Sequence, residues 1–253
     1  MLGAMMLLAL CLPMLVIEAD LTPSNLISDG IVLQREPQAA RLWGYSEQDP
    51  GRFTLHVSGT HVELVRQYVE RTWHQDALVF EWTLDMTPQP AGGPFELLIE
   101  SEKGGKAEVR DVYFGDVFLC SGQSNMRMRL DETSEYQQEL ASASYPLIRF
   151  QTADLVRDYA DRKAQAPNPV DPKDGGHTSR ASADMPAATS RGRVTLENAW
   201  RKISPETASS CSAVCYYFAR EVHLNVKVPV GISVAAVDGA AIQEFMEHPV
   251  IQQ

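Results

Sequence analysis

Ser124 stands at the mouth of a small-residue turn, in the stretch Gly115-Asp116-Val117-Phe118-Leu119-Cys120-Ser121-Gly122-Gln123-Ser124-Asn125-Met126. A serine hydroxyl is a weak nucleophile until it is held exposed beside a base. A strand that ends in a tight turn ahead of a helix is one way of presenting it, which makes Ser124 the leading candidate for nucleophilic chemistry. The same residue types also cap helices and make turns, so Ser121, Ser124 and Asn125 as caps and Gly122 as a turn residue is the competing reading.

Bases and metal ligands are sparse around this block. The six histidines are scattered, and neither Cys-x-x-Cys nor His-Glu-x-x-His spacing occurs, so no metal site is expected. His56, His61 and His74 fall on alternating, β-rich sequence and read as solvent-facing strand residues. His177 lies in a polar, Gly- and Pro-rich run without a fixed position, which suits a base poorly. His223 ends an expected helix, and His248 precedes Pro249 at the end of another; both read as helix-surface residues.

The elements that must position Ser124 follow from periodicity. An apolar strand is expected from Val112 to Cys120 and a helix over Met126 to Leu140, beginning near Ser124 or Asn125. A helix N-terminus there would aim N–H groups and the positive dipole end at the serine. A second strand is expected at Pro146 to Phe150, and a helix capped by Ser209 or Ser210 running through Ala213 towards Asn225. A third strand is expected at Ile232 to Val237, turning at Asp238-Gly239 into a helix over Ala240 to His248. Strands alternating with helices at these lengths signal a parallel α/β sheet. Ahead of it, residues 20–110 hold short β-rich runs at residues 30–34, 41–45, 53–58, 77–84 and 95–100. Turn residues such as Glu36-Pro37, Asp49-Pro50-Gly51 and Lys103-Gly104-Gly105 separate them, which reads as a small all-β sandwich. Residues 153–193 are rich in Ser, Ala, Arg, Gly and Pro and poor in large apolar side chains, and read as a mobile insertion.

Composition bounds the partners. The 253 residues are 44% hydrophobic and 22% charged, and 33 acidic against 22 basic residues give a formal net charge of −11, which disfavours nucleic acid and anionic membrane surfaces. Met1 to Ile17 is an almost continuous apolar run with no charged side chain, followed by Glu18 and Ala19. It reads as a signal peptide over residues 1–19, with a secreted or lysosomal destination and no stable membrane span expected. Cys11 lies in that leader, leaving Cys120, Cys211 and Cys215. Cys211 and Cys215, four apart, read as core-facing thiols on a helix, with one pair involving Cys120 left open.

The block around Ser124 resembles the nucleophile block of the sialate O-acetylesterase family, within the wider class of SGNH-type esterases. Asp29-Gly30-Ile31-Val32-Leu33-Gln34-Arg35-Glu36-Pro37, Trp43-Gly44 and Gly92-Gly93-Pro94-Phe95-Glu96 resemble the N-terminal β-domain of that family. Ser212-Ala213-Val214-Cys215, Pro229-Val230-Gly231, Gly239 and Ile242 resemble its later blocks in the same order. The resemblance implies an SGNH-hydrolase-like α/β fold, a flavodoxin-like parallel sheet over residues 111–253, behind the β-sandwich. It also implies removal of O-acetyl groups from sialic acids or sialoglycoconjugates without a cofactor. Trp43, Trp73 and Trp82 would suit either a sugar-binding face or the packing of the sandwich.

Carried over, the nucleophile falls on Ser124, and the oxyanion hole on the N–H groups of Ser124 and Gly239. The family's Ser-Trp-Gly-Gly-Thr-type turn reads Ala236-Val237-Asp238-Gly239-Ala240 here, with a carboxylate where a glycine is expected. The family's base-bearing Asp and His-Pro block has no counterpart before Gln253, so the sheet is expected to be incomplete and the chain truncated at its C-terminus. The alternative expectation is a catalytically inactive remnant that keeps at most carbohydrate binding.

Overall fold

In the computed structural model the described residues are 20–74, 77–152, 199–236 and Gly239. The expected signal peptide, the insertion at 153–193, His177, Asp238 and the helix over Ala240 to His248 lie outside them.

One long strand, β9 (Lys106–Gly122), organises the fold. Its first half is antiparallel to β8 (Gly92–Ser101), pairing Glu100 with Lys106 and Gly92 with Phe114. Its second half is parallel to β12 (Val230–Ala236), from Val230 opposite Asp116 to Ala236 opposite Gly122. The strand expected at Val112 to Cys120 is therefore longer at both ends, and position 110 lies inside it. Its inward set slips from Ala107 and Val109 to Val112 and Phe114, a shift of one residue. Asp111, left-handed at φ 54°, absorbs that extra residue as a bulge does.

Eight strands form the larger, mixed sheet. In spatial order they are β11 (Arg201–Ile203), β10 (Tyr145–Thr152), β12, β9, β8, β4 (Phe53–Val57) and β5 (Thr60–Val62), with β2 (Val32–Gln34) parallel to β9. A second sheet of four strands runs β1 (Leu21–Pro23), β3 (Arg41–Ser46), β7 (Ala77–Met86), β6 (Leu64–His74). Leu42, Trp82 and Leu84 of the smaller sheet pack on Leu55, Leu97, Ile99 and Phe114 of the larger. β6 has no counterpart among the expected strands. It is an edge strand, exposed along most of its length, so its sequence carries no apolar alternation.

A second core lies under α3 (Ala213–Val226), whose Cys215, Tyr216 and Ala219 are fully buried against Ile148, Phe150, Val230 and Ile232. β10, β12 and β9 run parallel here, and β12 is buried on both faces, as a central parallel strand must be. Ser212 caps α3, its Oγ accepting from the Cys215 N–H, in place of the expected Ser209 or Ser210, which belong to a 3-10 turn. Glu139 joins this core from α2 (Tyr136–Ser142), accepting hydrogen bonds from the Tyr216 hydroxyl and from Arg220. Burial opposes ionisation of Glu139, but those two donors outweigh it and hold its carboxyl below the usual range.

The single helix expected over Met126 to Leu140 is instead three pieces: α1 (Ser124–Arg127), a 3-10 turn (Leu130–Glu132) and α2. Tertiary pairing interrupts it. Arg129 bridges Ser212, the Leu130 N–H donates to Cys211 O, and the Ala213 N–H donates to Met128 O. Glu135, left-handed at φ 61°, then restarts the chain into α2. No helix among the described residues is long and apolar enough to cross a membrane.

Candidate active site

The parallel register brings the carboxyl ends of β9 and β12 to one edge of the sheet, where Gly122 lies opposite Ala236. In open α/β sheets this is the edge where ligands bind. Ser124 follows two residues after Gly122, as the first residue of α1. Gly122 is at φ 153°, and a Cβ there would come 3.0 Å from Met126 Cβ. The turn is therefore tight enough to require glycine. Gly239 lies three residues past the end of β12, at φ 71° and exposed, with its neighbours Asp238 and Ala240 outside the described residues.

Ser124 points outward because Met126 points inward. At about 100° per helical residue, two residues place side chains on roughly opposite sides. Met126 packs into the second core, its Sδ 3.3 Å from Cys215 Sγ and 4.0 Å from Ser212 Oγ. Cys215 is in turn joined to Cys120 by a disulfide with a Cα–Cα distance of 6.3 Å. This corrects the expectation of two core-facing thiols on one helix. Cys211 precedes α3 and is the buried free thiol, pushed up to about 12 by burial, while Cys215 is tied to the strand that carries the serine.

Ser124 opens onto a shallow depression of about 520 Å³, lined by Asn125, Arg127, Met128, Arg129 and Glu132. Glu132 is engaged as a cap, accepting from the Arg129 N–H at 2.7 Å. Helix α1 is a single turn, its Met126 and Arg127 amides donating to Gln123 O and its C-cap Met128 amide to Ser124 O. The amides of Ser124 and Asn125 thus lie outside its own ladder. One turn carries far less dipole than the long helix expected from sequence, and the charged groups of the depression are Arg127, Arg129 and Glu132.

The described histidines do not converge on Ser124. His223 is placed ten residues into α3, roughly 15 Å along the axis from its N-terminus. Its Nδ1 lies 2.7 Å from Val228 O, beside the amino end of β12 and away from the edge that carries Ser124. His56 faces Glu100 and His61 on the strands of the larger sheet, and His74 stacks on Tyr45. His177 and His248 lie outside the described residues. Of the tryptophans, Trp82 is fully buried in the first core, Trp43 packs against it partly buried, and Trp73 is 72% exposed. A smaller cavity of about 200 Å³, lined by His56, Glu96, Glu108 and Arg110, sits on the β-rich half and holds no nucleophile. Among the described residues no group of three or more His, Cys, Asp or Glu side chains could hold a metal.

The fold is similar to part of a solved structure, that of a carbohydrate acetylesterase from Xanthomonas citri, with a TM-score of 0.61 over 92% of this chain and 44% of the neighbour, at 24% identity. By sequence, the chain is similar to sialate O-acetylesterases, with 27% identity to that of Homo sapiens over 232 residues and 26% to that of Mus musculus over 224. The resemblance first carried by the Ser124 block thus extends over 88% of the chain. The chain spans about two fifths of the human relative, 38% of its length. No protein-family model matches it.

Proposed function

We propose that this chain is the nucleophile-bearing part of a carboxylic-ester hydrolase that removes O-acetyl groups from sialic acids or sialoglycoconjugates. The single observation that carries the reading is the placement of Ser124. It sits exposed, just past Gly122 at the shared carboxyl edge of two parallel strands, in a block whose relatives are sialate O-acetylesterases. In this reading residues 111–253 are an SGNH-type α/β domain, residues 20–110 an accessory β-sandwich, and the N-terminal run a leader to a secreted or lysosomal destination. The Cys120–Cys215 disulfide supports an oxidising destination.

The chemistry is acyl transfer. Ser124 Oγ attacks the acetyl carbonyl carbon and loses its proton to a general base. The oxyanion is held by the Ser124 N–H, with Gly239 as the second donor. Collapse expels the sugar oxygen, which takes up the proton. Water then attacks the acetyl-serine, and acetate leaves. None of the four described histidines is placed to serve as that base, so the reading draws it from residues outside the described ones. An inactive chain that binds sugar without turnover is the rival.

Acetate release from an O-acetylated sialic acid by the purified chain tests the proposal, with Ser124→Ala as control. The expected result is release by the wild type and a loss of about 10³-fold or more in the variant. No release, or equal release by both, overturns it, and glycan binding without release favours the rival.

A further inference from the structure

The segment that carries Ser124 is fastened to the start of α3 on both sides. Downstream, the backbone bonds Leu130 N–H to Cys211 O and Ala213 N–H to Met128 O hold it. Upstream, the edge-to-face contact of Phe118 with Phe218 holds the strand against α3, and two residues before Gly122 the covalent fastening is the bond between Cys120 and Cys215, which are 95 residues apart in sequence. Between the two, Met126 Sδ rests 3.3 Å from Cys215 Sγ, so the thioether that turns Ser124 outward leans on one sulfur of that bond. Cys215 is fully buried and Cys120 half-buried, so a reductant meets the bond at Cys120. Neither sulfur has a part in the acyl transfer described above.

From this placement, and resting on the reading of Ser124 as nucleophile, we propose that the Cys120–Cys215 disulfide is the positioning element of the Ser124 turn. Its reduction turns the site down by loosening that turn while the sheet stays folded. The step balances with a dithiol as the reductant. The dithiol's first thiolate forms a mixed disulfide with Cys120 and releases Cys215 as a thiol after proton uptake. Its second thiol then displaces Cys120, leaving two cysteine thiols in the protein and a cyclic disulfide in the reagent. Cys120 and Cys215 are positioning residues, since they act on the site only through Met126 and the turn.

The experiment follows the chain before and after dithiothreitol, beside the Cys120→Ala/Cys215→Ala variant, with two readouts. The first is the rate at which a fluorophosphonate labels Ser124, resolved into its maximal rate and half-saturating concentration. The expected result is a maximal rate lower by tenfold to about a hundredfold with the half-saturating concentration unchanged, because a displacement of about 1 Å acts on the reacting geometry. The second is amide hydrogen exchange, expected to speed up in peptides covering residues 116–130 and to stay unchanged over β4. Labelling at an unchanged rate, or exchange rising everywhere together, overturns the proposal. So does finding Cys120 and Cys215 free to alkylation in the denatured, unreduced chain. If the wild type takes no label at all, the nucleophile reading falls, and the exchange readout still decides the role of the disulfide by itself.

Discussion

Replacing Gly122 by alanine tests whether the turn before Ser124 is as tight as the structure makes it. The residue is at φ 153°, where side chains are rarely tolerated, and the new Cβ would stand 3.0 Å from Met126 Cβ and 3.6 Å from Met126 Cγ. A backbone conformation of that kind costs a non-glycine residue about 1–3 kcal/mol. Met126 cannot simply retreat, because its Sδ already touches Cys215 Sγ and Ser212 Oγ. The strain is relieved by moving the turn, and Ser124 moves with it. The expected outcome is a loss of about 1–3 kcal/mol in urea unfolding. Alongside it, fluorophosphonate labelling of Ser124 should slow by about 10²-fold, the scale of a displacement near 1 Å. A variant with wild-type midpoint and wild-type labelling rate would refute the claim that this glycine shapes the site.

Glu139→Gln keeps volume but removes the charge that receives Tyr216 and Arg220, and should cost about 1–2 kcal/mol at pH 7. Because the folded-state carboxyl is held below its ordinary range, its contribution is present above the unfolded value of about 4.3 and is lost as pH falls through the folded one. The stability gap between wild type and variant should therefore close below about pH 4 in urea titrations; a constant gap would contradict the ion-pair account. Trp200 is buried in the first core, donates from Nε1 to Leu26 O at 2.9 Å and packs on Gly231 of β12, joining the two halves. Trp200→Ala should cost about 3–5 kcal/mol, read as a fall of roughly 10 °C in melting temperature, and a shift under 2 °C or so would deny it that role. Cys211, buried with its thiol pushed up to about 12, should resist iodoacetamide at pH 8 until the chain unfolds. Alkylation of the native protein at the rate of a free thiol would contradict its burial.

The parts of the fold that were legible in sequence share a simple signal. The apolar runs ending at Cys120 and Val237 could be read as strands because both are bounded by turn residues; β12 is buried on both faces, whereas Leu119 of β9 is 66% exposed. Ser124 could be read because Gly122 precedes it in a recognisable block. What escaped the sequence depends on contacts distant along the chain. β6 alternates nothing, since Arg66, Gln67, Glu70 and Arg71 lie along an exposed edge. The helix expected over Met126 to Leu140 is broken where Met128, Arg129 and Leu130 pair with residues 211–213, more than 80 positions away. The bulge at Asp111 carries no glycine to announce it. The pairing of Cys120 with Cys215 was one of several connectivities that spacing alone leaves open. Of the candidate site, the turn at Gly122 and the position of Ser124 just past it were legible. Among the described residues no histidine approaches Ser124.

The central claim is that Ser124 is an activated nucleophile, and covalent labelling tests it most directly. The purified chain is treated with a fluorophosphonate and digested, and the adduct is mapped by mass spectrometry beside Ser124→Ala. The account predicts one adduct, on the peptide holding Ser124, absent from the variant. A wild-type chain that takes no label, or that labels as well after Ser124→Ala, would contradict it.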